Sequence, residues 1–228
     1  MNESANIVLA GGGSAADSRL LDERFASRVG SQKELLYLPL ALRGIRSFES
    51  CFEWITGTFA PLGINRIHLW TDLAEHQGRE LKNFAAVYIG GGNTYSLLAE
   101  LLSSGFDQHL KTYAREGGII YGGSAGAVVL GKDIRTASSM DRNDIGLAEV
   151  NCLNLANDHA VWPHYRPGKD QLIEEYVRIH EQPVLAISET SGVIIESGKM
   201  LAVGQEPTYR FDHQGKVEIY AEQSRDST

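Results

Sequence analysis

The sequence predicts an α/β fold, a parallel β-sheet with helices on both faces that ends in a C-terminal antiparallel β meander. Three observations carry that expectation. Short apolar runs ending in Gly or Pro alternate with longer amphipathic stretches, which is the pattern of stacked βα units. Two of those runs stop at glycine triplets, Gly11-Gly12-Gly13 and Gly90-Gly91-Gly92. Beyond about residue 183 the texture changes to brief β-rich pieces separated by hairpin-like turns.

Five runs, 7–10, 34–38, 64–69, 85–89 and 119–121, are the expected parallel strands. The clearest helical pattern covers 94–102, where Leu97, Leu98, Leu101 and Leu102 share a face and Asn93 or Thr94 can cap the first turn. The late pieces are 184–187, 193–196, 200–203, 208–211 and 217–220, with turns at Ser197-Gly198-Lys199 and His213-Gln214-Gly215-Lys216. No composition shift marks a linker, so all 228 residues are expected to form one domain.

Composition narrows the function. With 43% hydrophobic residues and 6 prolines the chain can bury a core, which excludes disordered and collagen-like classes. A formal charge of −8 argues against nucleic acid or an anionic membrane as partner. Cys51 and Cys152 match no metal or redox spacing and read as free thiols, so no metal and no cofactor is expected. The opening residues lack a basic leader and no apolar stretch is long enough to span a bilayer, which makes the cytoplasm the expected location. Apolar residues at Phe48, Phe52 and Trp54 are candidates for a homodimer contact.

The motif with chemistry is Gly122-Gly123-Ser124-Ala125-Gly126, which fits G-x-S-x-G between a buried strand and a helix-forming run. A nucleophile elbow holds its serine in a strained turn, so the residues two before and two after it must be glycine or very small. Here both are glycine. The turn would put the Ser124 hydroxyl at the carboxyl end of the sheet with the Ala125 N–H facing an oxyanion. The plainer alternative is a strand-to-helix turn in which Ser124 only caps the helix. Gly91 and Gly92, in the loop that opens the Leu-rich helix, are candidates for the second oxyanion donor, or else a tight structural turn.

A serine nucleophile needs a base. Of the seven histidines, His164 follows the apolar run 160–162 and would also stand at a strand's carboxyl end, beside Ser124 if that strand neighbours the elbow strand. His159 lies at the wrong end of the run and His213 in a turn, while the remaining histidines fall in helical or edge contexts.

Taken together, Ile89-Gly90-Gly91-Gly92-Asn93-Thr94, Gly122-Gly123-Ser124-Ala125-Gly126-Ala127 and Pro163-His164-Tyr165 resemble the peptidase E and cyanophycinase family of serine peptidases. The resemblance implies a flavodoxin-like, glutamine-amidotransferase-like fold whose elbow carries serine where amidotransferase relatives carry cysteine. It implies Ser124 as nucleophile, His164 as base, and the amides of Ala125 and the Gly91–Gly92 loop as oxyanion hole. It also implies small peptide substrates, since peptidase E removes N-terminal aspartate from dipeptides and cyanophycinase cleaves aspartyl-arginine polymer links.

The sequence departs from the family at the aspartate about fifteen residues after the serine, a position that is Ser139 here. Asp141 is the first candidate to orient His164 in its stead, followed by Asp144 and Glu189. Arg166 and Arg135 are candidate clamps for a substrate carboxylate. Three rival readings remain. The pattern Gly11-x-Gly13-x-x-Ala16 partly fits a dinucleotide fingerprint, but no acidic residue ends the next strand. An α/β-hydrolase esterase would draw its base from His213, and a member of the same fold without its acid would only bind a ligand.

Overall fold

The computed structural model describes residues 6–30 and 34–220; the opening residues 1–5, read above for a leader, lie outside the described residues. The five apolar runs form parallel strands β1 (Asn6–Ala10), β2 (Glu34–Leu38), β3 (Arg66–Leu69), β4 (Ala86–Ile89) and β5 (Ile119–Gly123), in the spatial order β3-β2-β4-β5-β1. Except for the edge strand β3, which exposes Arg66 and His68, these strands are almost continuously apolar because both faces are covered. Alternate side chains divide between two cores. Ile7, Leu9, Leu36, Leu38, Val87 and Ile89 pack on one side with helices α3 (Thr94–Ser104), α4 (Phe106–Arg115) and α5 (Ala125–Leu130). Val8, Ala10, Leu35, Tyr37, Tyr88 and Tyr121 pack on the other with α1 (Arg19–Val29) and α2 (Phe48–Phe59). A one-residue slip of any strand would exchange these sets, so packing fixes the register.

The Leu-rich helix forms as expected. Asn93 Oδ1 accepts from the Ser96 N–H at 2.9 Å, and Gly105 ends the helix in the left-handed region at φ 74°.

The C-terminal part is antiparallel but is divided between two sheets. Strand β6 (Ala160–Trp162) pairs in parallel with β7 (Val184–Ala186), across helix α6 (Asp170–His180). The chain then returns to the large sheet, where β8 (Ser191–Glu196) runs antiparallel to β1 and forms a hairpin with β9 (Lys199–Gly204). A second hairpin, β10 (Thr208–Asp212) and β11 (Gly215–Ile219), adds antiparallel to β7. The result is a seven-stranded sheet ending β1-β8-β9 and a four-stranded sheet ordered β11-β10-β7-β6. A core of Trp162, Tyr165, Ile173, Tyr176 and Phe211 joins the small sheet to α6. Strand β6 is therefore not a neighbour of the elbow strand, because β5 is flanked on both sides by β4 and β1 and β6 belongs to the other sheet. No described helix is long and apolar enough to cross a membrane.

Candidate active site

Ser124 ends β5 and opens α5 with φ 50° and ψ −108°, a backbone conformation that costs a non-glycine residue about 1–3 kcal/mol. Its flanking glycines are required by close approach rather than by flexibility. A Cβ on Gly122 would lie 2.6 Å from the Gly126 carbonyl, and one on Gly126 would lie 2.2 Å from the Ile89 oxygen. The turn is pinned from below by the Ser124 N–H donating to the Ala10 oxygen at 3.2 Å.

His164 arrives from the small sheet. After β6 the chain turns through φ 52° at His164, whose N–H donates to the Gly11 oxygen at 2.8 Å, while the Tyr165 N–H donates to the Ile187 oxygen at 3.0 Å. The imidazole lies over Gly12, where any Cβ would come within 2.2 Å of the ring. The glycine loop after β1, which partly fits a dinucleotide fingerprint, thus forms the seat of this histidine. Ser124 Oγ stands 2.8 Å from His164 Nε2.

The partner on the other ring nitrogen is Glu189, with Oε1 2.9 Å from His164 Nδ1. Glu189 sits in the turn between β7 and β8, where the Ser191 N–H donates to the Ser188 oxygen and the Ser188 hydroxyl donates to Ser191 Oγ. Asp141, the first-ranked candidate for this position, is engaged elsewhere. Its Oδ2 accepts from both the N–H and the hydroxyl of Thr94, at 2.9 and 2.5 Å, so it anchors the first turn of α3. Asp144 pairs with Arg142 on the surface. The third-ranked acid is therefore the one in contact, for a tertiary reason: Glu189 follows β7, the strand beside the one that delivers His164.

Gly91 and Gly92 both border the cavity above Ser124. A Cβ on Gly91 would come 3.2 Å from Ser124 Cβ, and Gly92, at φ 133°, packs against the Ala41 carbonyl. The Gly91 and Gly92 N–H groups donate to no backbone oxygen among the described residues, and the Ala125 N–H lies in the first turn of α5, where no intrahelical acceptor is available. These amides are free to meet an oxyanion.

The two arginines proposed as clamps lie elsewhere. Arg166 is exposed and does not line the cavity, and Arg135 is tied to Asp133 and His180. His213, the base required by an α/β-hydrolase, sits in the turn after β10 and faces a separate groove with His159.

The cavity at Ser124 has a volume of about 300 Å³. Its far wall is aromatic, with Trp54 lying 6.4 Å from Tyr37 and 6.0 Å from Tyr88 between ring centroids. Half-exposed Trp54, a candidate for a subunit contact, is thus part of this wall. Behind it Tyr88 stacks on Tyr121 at 4.4 Å, and the Tyr121 hydroxyl donates to Asp22 Oδ1 at 2.8 Å. Asp22 also accepts from Ser18, a cavity residue, at 2.7 Å. Burial pushes the Asp22 carboxyl up to about 6, against the two hydrogen bonds that favour its charged form. Asp22 escaped the sequence reading, although a carboxylate beside Leu21, Phe25 and Val29 on one helical stripe is a visible signal. Arg46, another cavity residue, lies on an irregular loop and gave no such signal.

The sequence model of peptidase family S51 matches residues 7–203. The chain belongs to peptidase family S51. It is a serine peptidase, and the expected family resemblance holds. Among its relatives, the probable alpha-aspartyl dipeptidase of Drosophila melanogaster is 27% identical over 213 residues, spanning 88% of this chain and 84% of that one. A peptidase E of Actinobacillus pleuropneumoniae is 25% identical over 207 residues, spanning 83% and 82%. The crystal structure of a peptidase from an acI-B1 actinobacterium shares the fold, with a TM-score of 0.73 at 17% identity over 96% of this chain and 95% of that one.

Proposed function

We propose that this peptidase hydrolyses small peptides through an acyl-enzyme, with Ser124 as nucleophile, His164 as base and Glu189 as the acid that orients the imidazole, and that it favours peptides with an N-terminal aspartyl residue. The observation that carries the mechanism is the hydrogen-bonded row Ser124–His164–Glu189, with separations of 2.8 and 2.9 Å. The substrate preference draws on the relatives named dipeptidase and peptidase E.

In the first half-reaction Ser124 Oγ attacks the amide carbonyl carbon while His164 Nε2 takes the hydroxyl proton. The negative charge passes to the carbonyl oxygen, which receives the N–H groups of Ala125 and of the Gly91–Gly92 loop. His164 returns the proton to the leaving amine as the C–N bond breaks. Water, deprotonated by the same nitrogen, then attacks the acyl carbon, and His164 passes that proton to Ser124 Oγ as the acyl C–O bond breaks and the acid is released. Glu189 accepts from Nδ1–H and so holds the imidazole in the tautomer whose Nε2 can take the serine proton.

A member that only binds ligand was suggested by the missing aspartate; Glu189 at Nδ1 removes that motive. The test is a panel of Asp-X, Glu-X and blocked dipeptides assayed with wild type and Ser124→Ala. Loss of about 10⁴-fold or more in kcat is expected, and cleavage that persists in Ser124→Ala would sink the assignment.

A further inference from the structure

The cavity at Ser124 carries one permanent charge, and it is positive. No Asp or Glu among the described residues lines it, whereas Arg46 does. Arg46 stands on the loop that leads into α2, held by its N–H donating to the Leu42 oxygen at 3.0 Å. Three residues earlier, Arg43 is committed to Glu100 at 2.7 Å. Arg46 has no carboxylate within ion-pair distance among the described residues, in a chain that carries 29 acidic side chains. An arginine left without a carboxylate in a cleft lined by none is available to a ligand that brings one.

Two further features bear on what it can bind. Its charge acts on the Tyr37 hydroxyl and the Cys51 thiol, both cavity groups, and partly offsets the rise that burial imposes on each. Tyr37 is 1% exposed, and its hydroxyl makes no hydrogen bond among the described residues. That hydroxyl borders the cavity rather than being sealed in the core, so a ligand can still become its partner. A ligand carboxylate in this part of the cavity would satisfy both groups, the guanidinium through its planar fork and the phenol through one hydrogen bond.

We propose that Arg46 is the specificity-determining residue of this peptidase, binding a substrate carboxylate with help from the Tyr37 hydroxyl. The assignment rests on the peptidase reading above. The carboxylate has two possible sources, the acidic side chain of the residue whose carbonyl Ser124 attacks and the C-terminal carboxylate of the leaving residue.

The experiment compares wild type, Arg46→Gln and Arg46→Lys on Asp-Leu, Asn-Leu and Asp-Leu amide. If the acidic side chain is bound, Arg46→Gln lowers the ratio of kcat/KM for Asp-Leu over Asn-Leu by about 10- to 100-fold, mainly through KM, and does so for the amide as well. If the C-terminal carboxylate is bound, the ratio of Asp-Leu over Asp-Leu amide falls instead. Arg46→Lys, which keeps the charge but not the fork, recovers part of either ratio, and Arg166→Gln moves neither. Both ratios unchanged in Arg46→Gln would overturn the proposal.

A binding arm separates this from failure of the peptidase reading. Calorimetry of Asp-Leu with Ser124→Ala and with the Ser124→Ala/Arg46→Gln double variant reads carboxylate binding without turnover. At least a tenfold weaker affinity in the double variant supports Arg46 even if Ser124 proves not to be the nucleophile, and equal affinities count against Arg46 even if it is.

Discussion

The turn that holds Ser124 and the two turns that hold His164 and Glu189 meet at one point but are positioned by different means. The serine turn is largely local: the five consecutive residues 122–126, from the end of β5 into α5, determine it, because Gly122 must lie against Gly126 and Gly126 against Ile89. His164 and Glu189 lie 25 residues apart in sequence and follow two adjacent strands of the small sheet, β6 and β7. They meet only because β6 and β7 pair in parallel and because His164 docks on the Gly11 carbonyl. A lesion in the serine turn should therefore damage fold and chemistry together. A lesion in the histidine seat should remove chemistry from an intact fold.

Gly126→Ala is the severest test of that contrast. Its Cβ would meet backbone, the Ile89 oxygen at 2.2 Å, so strand and helix must separate. We expect a stability loss of about 3 kcal/mol or more and no measurable peptidase activity, read by urea unfolding and dipeptide assay. A variant of wild-type stability would show that the turn is not locally constrained.

Glu189→Gln should lower kcat by about 10²- to 10⁴-fold while leaving the unfolding midpoint nearly unchanged, because the amide no longer enforces the productive imidazole tautomer. Asp141→Asn gives the opposite pattern, a destabilisation of about 1 kcal/mol from the weakened anchor at the start of α3 with kcat little altered. Exchange of these two outcomes would return the acid's role to Asp141.

Gly12→Ala sharpens the comparison from the seat itself. The added methyl would come 2.2 Å from the His164 ring and would be forced into φ 113°, so the ring must leave its position beside Ser124 Oγ. Activity should fall about 10²-fold or more, with a stability cost of about 1–2 kcal/mol from the backbone strain. Unaltered kcat would mean that the imidazole is not fixed by this loop.

The smallest effect on catalysis concerns Asp22, which lies behind the aromatic wall and bears on stability alone. Its carboxyl is raised from 3.8 to about 6 in the folded protein, so folding takes up a proton and the protonated form contributes stability that is fully present below about pH 4. That contribution is lost as pH rises toward and through 6, and amounts to about 3 kcal/mol at most. Asp22→Asn cannot ionise. Its stability relative to wild type should increase between pH 4 and pH 7, and a difference independent of pH in thermal unfolding would show that Asp22 is not held in this environment.

How much of this was legible depended on range. The parallel strands, the Leu-rich helix with its Asn93 cap, and the serine elbow follow from patterns a few residues long. The division of the C-terminal strands between two sheets was not legible, since alternating apolar residues show that a strand has a buried face without naming the sheet that buries it. For the same reason the sequence puts His164 near Ser124 through a strand arrangement that the fold does not have, and it favours Asp141 over Glu189 on proximity to the missing aspartate. Arg46 carried no signal, because its loop has no periodicity to say which way it faces.

The sequence alone determined where a strained serine turn can exist, since Gly122 must lie against Gly126 and only glycine tolerates that contact between near neighbours in the chain. The tertiary structure decided which histidine and which carboxylate meet that serine, and which arginine borders its cleft. Those choices depend on strand pairing and close packing between segments far apart in sequence, and no local pattern encodes the distance between them.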